Sequence, residues 1–543
     1  MKKLIILLLL LLVCRISDAQ VVSEDVSNKG IYEFLDELAA LKVIALNSAI
    51  KPYSREYIAQ KLGEARMTGS DTLAGKNLLS KRQLRELDFY CRDYLPSPVN
   101  RHPSRVSVSY SPVGVHYRDS LFTFSLRPVA GISWMTNANQ SAYHRWWGAS
   151  MFGSVGKHFG FYASLRDNTT STALARPDYF TREEGNVYKE YENGKVDFSE
   201  MRAGVTASVK WGSIGLLHDR PVWGDAYHGT NILSGKAPAF PYLYLHLNPV
   251  RWFEFSYLHG WLNSNVIDSS RSYYNGDVYR IVYRSKFIAA NMYTFIPWRG
   301  LNLSVGNSII YSDININPMY LIPFLFFNAA DATKNNYIND AGSNSQLFFN
   351  FSSRQIRHLH LFVSFFIDEW KMSRVMKKNL HNFTSLKAGF RVNDFLVRNF
   401  ALGAEYTRTQ PMTYRHYIET TTYASNNYGL GHYLQENSEE IAADVSWRPI
   451  RGVKVEAMYV LARHGDDVPY VSNAGYAVDQ VPFLKNKTWQ RSEISLTARY
   501  EFTQNAYFLV GYRNSAQEGS AWRQSAIERG TTQTIFTSLN IGF

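Results

Sequence analysis

The spacing of hydrophobic and polar positions changes once along this 543-residue chain. From about residue 27 to 95, apolar side chains recur at helical intervals. Ile31, Phe34, Leu35, Leu38, Leu41 and Ala45 form one stripe, with Glu33, Asp36, Glu37 and Lys42 mostly away from it. Pro52 interrupts the pattern, and Ser54 stands where it can cap a second helix carrying Tyr57, Ile58 and Leu62. Ser80 with Gln83 three residues later is a capping-box signature for a third helix, with Leu84, Leu87 and Tyr90 on one face. Pro96, Pro98 and Pro103 close the region. Three short amphipathic helices are marginal alone, so they are expected to dock on a larger body.

After residue 104 the period becomes two. In the last ten residues Ile535, Thr537, Leu539, Ile541 and Phe543 share one face, and Thr534, Phe536, Ser538, Asn540 and Gly542 the other. An apolar-out, polar-in strand ending on an aromatic suits the closing strand of a membrane barrel, because hydrocarbon tolerates no unpaired sheet edge. Short turns are expected at 156–159, 211–213, 248–251, 297–300, 352–357, 393–399, 448–452 and 503–506, where Pro, Gly, Asn and Asp supply turn chemistry. Between them lie long connections at about 167–198, 219–241, 263–284, 311–345, 368–383, 408–439, 463–490 and 514–530. Short turns on one side and long loops on the other are the habit of outer-membrane barrels. With a first strand near Leu121–Met135, a short outward loop at about 136–144 and the closing strand, the reading is an all-β transmembrane barrel of about 18 antiparallel strands, preceded by a small α-helical periplasmic domain.

Composition agrees with that reading. Aromatic residues make up 15% of the chain, and the mean hydropathy is −0.26. Alternation dilutes apolar residues in a barrel while interfacial girdles enrich aromatics. No run of about 20 apolar residues follows the N-terminus, which argues against helical membrane spans. Met1-Lys2-Lys3, the apolar run Leu4 to Val13 and Ser17-Asp18-Ala19 read as a signal peptide. The expected layout is a leader over 1–19, a helical bundle over 20–103 and a barrel over 104–543, in the outer membrane with helices in the periplasm and loops at the surface. Cys14 leaves with the leader, and Cys91 alone remains, so no intrachain disulfide is expected. The net charge of +12 is dispersed without a basic run, which does not favour nucleic acid.

Candidate chemistry concentrates in residues 218–262, read as an outward loop followed by a membrane hairpin. The loop carries Arg220, Trp223, Asp225, Tyr227, His228 and Asn231, with Asp219 beside them. Flat aromatic faces next to carboxylates, amides and guanidinium can stack on sugar rings and bond hydroxyls, so these six are the candidate polysaccharide-binding residues. The plainer alternative is that Trp223 and Tyr227 anchor the interface or pack the loop. Trp146-Trp147 and Trp298-Arg299 read as girdle residues. His358 and His360 share a strand face but have no third ligand nearby, so no metal is expected. Glu183-Glu184, Glu439-Glu440 and Asp466-Asp467 read as solvating charge, and no catalytic constellation or cofactor motif is present. The apolar run 319–327 is not a solvated loop: it either plugs the lumen or dips into the outer leaflet, the plainer alternative being a strand of the wall.

These stretches carry a resemblance. Trp223-Gly224, Asn231 to Ser234, Pro238 to Pro241, His259 to Leu262 and Pro318 to Phe324, with the helical start Tyr32 to Leu38 and Ile50 to Arg55, resemble the capsule-assembly Wzi family of outer-membrane barrels. The resemblance implies a non-enzymatic surface lectin that helps assemble or attach capsular polysaccharide. Its partners would be that polysaccharide and outer-membrane lipid, and it would act as a monomer without cofactor. A porin-like saccharide channel, or less favourably a barrel enzyme acting on lipid or glycan, is the alternative.

Overall fold

A computed structural model describes residues 21–69, 78–95, 106–174, 176, 178–192, 194–332, 342–377, 379–467 and 478–542. The expected leader with Cys14, the three prolines between 96 and 103, the boundary at 103/104 and Phe543 lie outside these residues. Three helices come first: α1 (Lys29–Ala40), α2 (Arg55–Gly69) and α3 (Lys81–Tyr94). The Ser54 hydroxyl accepts from the Tyr57 amide at 3.0 Å, and Ser80 and Gln83 make the reciprocal capping box. The apolar stripe of α1 is buried with Ile58, Leu62, Leu87 and Tyr90 in one helical core.

The remaining chain closes into a barrel of 18 strands. In order they are β1 (Phe122–Thr136), β2 (Ser141–Val155), β3 (Phe159–Ser171), β4 (Lys195–Val209), β5 (Gly212–Asp219), β6 (Phe240–Val250), β7 (Phe253–Ile267), β8 (Tyr283–Trp298) and β9 (Leu301–Tyr311). They continue as β10 (Ser343–Ser353), β11 (Leu359–Glu369), β12 (Phe383–Asn393), β13 (Phe400–Thr409), β14 (Ser438–Trp447), β15 (Val453–His464), β16 (Trp489–Thr503), β17 (Ala506–Gly519) and β18 (Gly530–Ile541). Each pairs antiparallel with the next, and β18 closes on β1 with Leu539 opposite Ile132. All eight expected short turns separate strands at one end, and the long loops and the 137–140 turn lie at the other. The sequence pattern did not show the hairpin Val106–Tyr110 and Val113–Arg118, which pairs with the first half of β1 and continues the seam that β18 leaves.

Alternation sorts the wall into two faces. On β18, Ile535 and Leu539 are exposed outward while Thr534 and Asn540 are buried inward. The outward set continues around the wall as Leu165, Met201, Leu216, Ile494 and their neighbours, an apolar belt. Trp211, Trp252, Trp298 and Trp447 stand exposed near the turn end, as a girdle requires. Trp146-Trp147 divides: Trp147 faces out, whereas Trp146 is buried inside.

The helices cover the turn end of the barrel. The His358 amide donates to the carbonyl of Ala40 at 2.8 Å, Arg82 Nε donates to Asn399 at 3.0 Å, and Lys454 pairs with Glu33 at 2.9 Å. Chain 45–51 then enters the lumen, where Ile50 pairs with Trp223, and Trp223 with Leu233, in a three-stranded sheet. One expectation about loops is corrected here, and one alternative is decided. The 219–241 loop was expected to point outward, but it turns into the lumen together with 410–437. Their Trp223, Ile232, Leu233, Tyr414, Tyr423 and Leu430 bury against Leu258, Ile288, Met292, Phe348 and Phe366 of the inner wall. That stretch of inner wall is apolar, so water would be a poor filling and the loops replace it. The run 319–327 does not plug the lumen. Tyr320 and Phe327 instead bury against Phe255, Tyr257, Ile309 and Tyr311 on the outer face of β7–β9.

Candidate saccharide-binding cleft at the loop end

The six candidate residues come together inside the barrel, already engaged by protein. Arg220 is paired with Glu184 and, at 2.8 Å, with Glu200. Trp223 meets Phe348 edge-on at 6.0 Å between ring centres. The Asp225 carboxylate accepts from Ser48 and Asn350, joining loop, N-terminal segment and wall. The amide of Tyr227 donates to Glu405 at 2.7 Å, its hydroxyl lies 2.7 Å from His360, and Arg391 sits 4.9 Å from its ring centre. His228 lies 3.4 Å from Glu440, and burial pushes its imidazole down to about 4, so it is neutral at pH 7. Asn231 donates to the carbonyl of Ser385 at 3.0 Å and accepts from Ser364 at 2.7 Å. Five of the six are buried and Tyr227 is half-buried, so they hold the plug in place and present no open ring face.

Other candidates resolve similarly. His360 bonds Tyr227 and, at 2.9 Å, Ser352, whereas His358 sits in the turn before β11 with its ring toward the carbonyl of Asn393. The two do not converge, and no cluster of three metal-ligating residues occurs among the described residues. Glu440 was expected to be solvating charge. It is buried facing the lumen instead, with Tyr433, His228 and His432 around it.

What the plug supports is a cleft at the loop end. It has about 160 Å³ of space, between the end of β7 (Asn263–Val266), Lys286 of β8 and the loop 410–437. Its walls carry the amides of Asn263, Asn265, Asn426, Asn427 and Gln435, the hydroxyls of Ser264, Thr422 and Ser425, and the charges of Lys286, Arg415, Glu419 and Glu436. Asn426-Asn427 form the turn between Ala424–Ser425 and Tyr428–Gly429, both at positive φ (52° and 65°), as a tight two-residue hairpin requires. Met412, Tyr414, Gln435 and Asn437 in the same loop also have positive φ. An aromatic residue at φ 75°, as Tyr414 is, persists only where surroundings over-determine it.

Those surroundings are the plug. The Tyr414 hydroxyl donates to the carbonyl of Asn231 at 2.7 Å, and the Ser234 amide donates to the carbonyl of Leu430 at 2.8 Å. On the other side, Lys286 Nζ donates to the carbonyl of Thr422 at 2.7 Å and the Asn263 amide to Ser425 at 3.1 Å. Arg415 bonds Glu436 at 2.7 Å. Burial alone would raise the Glu436 carboxyl, but Arg415, His464 and hydrogen bonds to the group together outweigh it and keep it below its usual range. The result is a polar surface whose backbone is tied to the plug on one side and to β7 and β8 on the other. Sequence reading missed it. The local signal was Tyr423-Ala424-Ser425-Asn426-Asn427-Tyr428-Gly429, a turn dipeptide with polar and aromatic flanks buried inside a long loop.

An antiparallel barrel closed on itself, apolar outside and packed inside, is an outer-membrane β-barrel. No protein-family model and no curated protein matches the sequence. Among solved structures the chain is similar to Wzi of Escherichia coli, described as an outer-membrane protein involved in group 1 capsule assembly and a carbohydrate-binding β-barrel. Identity is 13%, the TM-score is 0.56, and the match covers 97% of this chain and 100% of that one. The protein has the Wzi fold. Pseudomonas aeruginosa OccD3 and Acinetobacter baumannii OccAB2 are similar over 77% of this chain and 91% and 97% of theirs. Both are 9% identical, with TM-scores of 0.41 and 0.43, too distant to bear on this chain.

Proposed function

We propose that the protein is a non-enzymatic surface lectin that holds capsular or other extracellular polysaccharide at the outer membrane. The helices face the periplasm and the long loops face outward. The observation that carries this reading is the cleft: amide, hydroxyl and charged groups fixed on a loop whose unfavourable φ values are held by the plug beneath. Amides both donate and accept, as a ring of sugar hydroxyls requires. At about 160 Å³ the cleft is smaller than the roughly 300–1,000 Å³ of pockets that enclose a small molecule, so a polymer would enter with the edge of one sugar ring. Wzi, with the same fold, is described as binding carbohydrate, which agrees. Arg220, Trp223, Asp225, Tyr227, His228 and Asn231 serve this function from behind, as supports of the binding loop.

Cells lacking the protein are expected to release polysaccharide to the medium. Restoring the wild-type chain should return it to the surface, while an Asn265→Ala/Asn427→Gly chain, in which glycine keeps the positive φ of the turn, should not. Unchanged retention in the deleted cells, or full rescue by the double variant, overturns the proposal.

A further inference from the structure

The outer wall of β7–β9 departs from the rest of the belt. Tyr257, His259, Asn291, Asn307 and Tyr311 share the face that elsewhere carries Leu, Ile, Val and Phe; in the ladder Asn291 lies opposite both Tyr257 and Asn307. Amides pointing into hydrocarbon near the middle of a membrane strand are costly, and here they are covered. The chain from 312 to 332, with a 3-10 turn at Pro318–Leu321 and a short helix at Phe327–Ala332, lies flat against that patch.

The wall residues satisfy the segment's backbone. Tyr257 donates to the carbonyl of Tyr320 at 2.7 Å, and Tyr293 to that of Phe324 at 3.0 Å. Asn291 donates to the carbonyls of Pro323 and Leu325, both at 2.9 Å. Asn307 accepts from the amide of Phe327 at 2.8 Å and donates to Asn291 at 2.6 Å. Phe324 stacks on Phe255 at 4.6 Å between ring centres, close to the turn end of β7, so the segment reaches past mid-wall. Its other edge presents Leu321, Ile322, Phe324 and Phe326, all exposed and all apolar, as Leu303 and Phe349 of the belt are. Irregular backbone survives at membrane depth only when protein satisfies its polar groups, and this wall is built to do so.

We propose that residues 312–332 form a flap embedded among the acyl chains, entering from the loop side and reaching past the middle of the membrane. Asn291, Asn307, Tyr257 and Tyr293 hook it to the barrel, and Leu321, Ile322, Phe324 and Phe326 are its lipid-facing edge. The flap converts a polar wall into a lipid-compatible one and widens the barrel's hold on one side of the membrane. This does not depend on what the cleft binds.

The test is spin labelling of Phe324→Cys in a chain carrying Cys14→Ser and Cys91→Ser, reconstituted in phospholipid vesicles. Collision with oxygen is compared with collision with a water-soluble nickel chelate. The expected oxygen-to-nickel ratio at 324 matches a label at the belt position Leu303 and exceeds severalfold one at the loop position Tyr274. A ratio matching that at 274 overturns the proposal. So does dipolar broadening between labels of two chains, which would make a second copy the occupant. Asn291→Leu removes the hook while leaving an apolar wall. It is expected to lower the ratio at 324 toward that at 274 without changing 303; an unchanged ratio refutes the role of the hook.

Discussion

Trp223→Ala should loosen the plug without opening the barrel. The indole is buried, packed on Phe348 and paired through its backbone with Ile50 and Leu233. Truncating a buried Trp to Ala costs ~3–5 kcal/mol. The strand ladder does not share that cost, because every barrel strand keeps both neighbours. The cost falls on the inserted segments, whose free energy of local opening is lower than that of the wall. At ~1.4 kcal/mol per factor of ten, a loss of ~4 kcal/mol raises the population of the opened plug by roughly a thousandfold. Hydrogen exchange reads this directly. The Gly224 amide donates to the carbonyl of Ala49 at 2.7 Å, and that of Ser234 to the carbonyl of Leu430 at 2.8 Å. Peptides holding these two amides should exchange orders of magnitude faster in the variant, while peptides from β15 and β16 keep their wild-type rates. Equal acceleration in wall and plug would refute the division between them. No acceleration at 224 and 234 would refute the plug's dependence on Trp223.

Other expectations follow from the same geometry. Asn265→Ala and Asn427→Gly, the latter keeping the positive φ of the turn, should each weaken binding of the purified surface polysaccharide by roughly tenfold, about one hydrogen bond to a fixed partner, with little change in thermal unfolding; titration calorimetry checks both. Planar-bilayer recordings of the wild-type chain should show little steady current, and deletion of 222–236 should raise it, because that segment fills the lumen; large stable wild-type currents would contradict the packing. Burial lowers His228 from 6.5 to about 4, so the native plug binds fewer protons than the loosened one between those values. Plug stability is then complete above pH 6.5 and falls as the pH drops toward 4. Protease cleavage within 220–237 should rise across that window, and less steeply in His228→Gln. Ser80→Ala should destabilise α3 by ~1 kcal/mol, seen as faster exchange over 81–86.

The barrel was legible because its grammar is local. Period-two alternation and turn residues such as Asn248-Pro249 mark strands and short turns within a few residues of chain, and all eight turns stand where the pattern placed them. The capping box at Ser80 and Gln83 was equally local. The loops were not legible, because their placement depends on partners far along the chain. Trp223 finds Phe348, Asp225 finds Ser48, and Tyr414 finds Asn231. A run of aromatic and polar residues such as 220–231 reads the same whether it faces sugar or fills a lumen. The same holds for 319–327, whose apolar residues fit lumen or lipid equally well. Only the face on which Asn291 and Asn307 stand distinguishes the two.

By itself, then, the sequence determined the closed sheet, its strand order, its two faces and the helices at its turn end, since each follows from periodicity and turn chemistry. The tertiary structure decided that 219–241 turns inward, that 312–332 lies outside, and that the cleft belongs to 410–437. Those outcomes depend on which apolar surface each loop can bury and which buried donors and acceptors it can satisfy. Such matches exist only once the wall has closed.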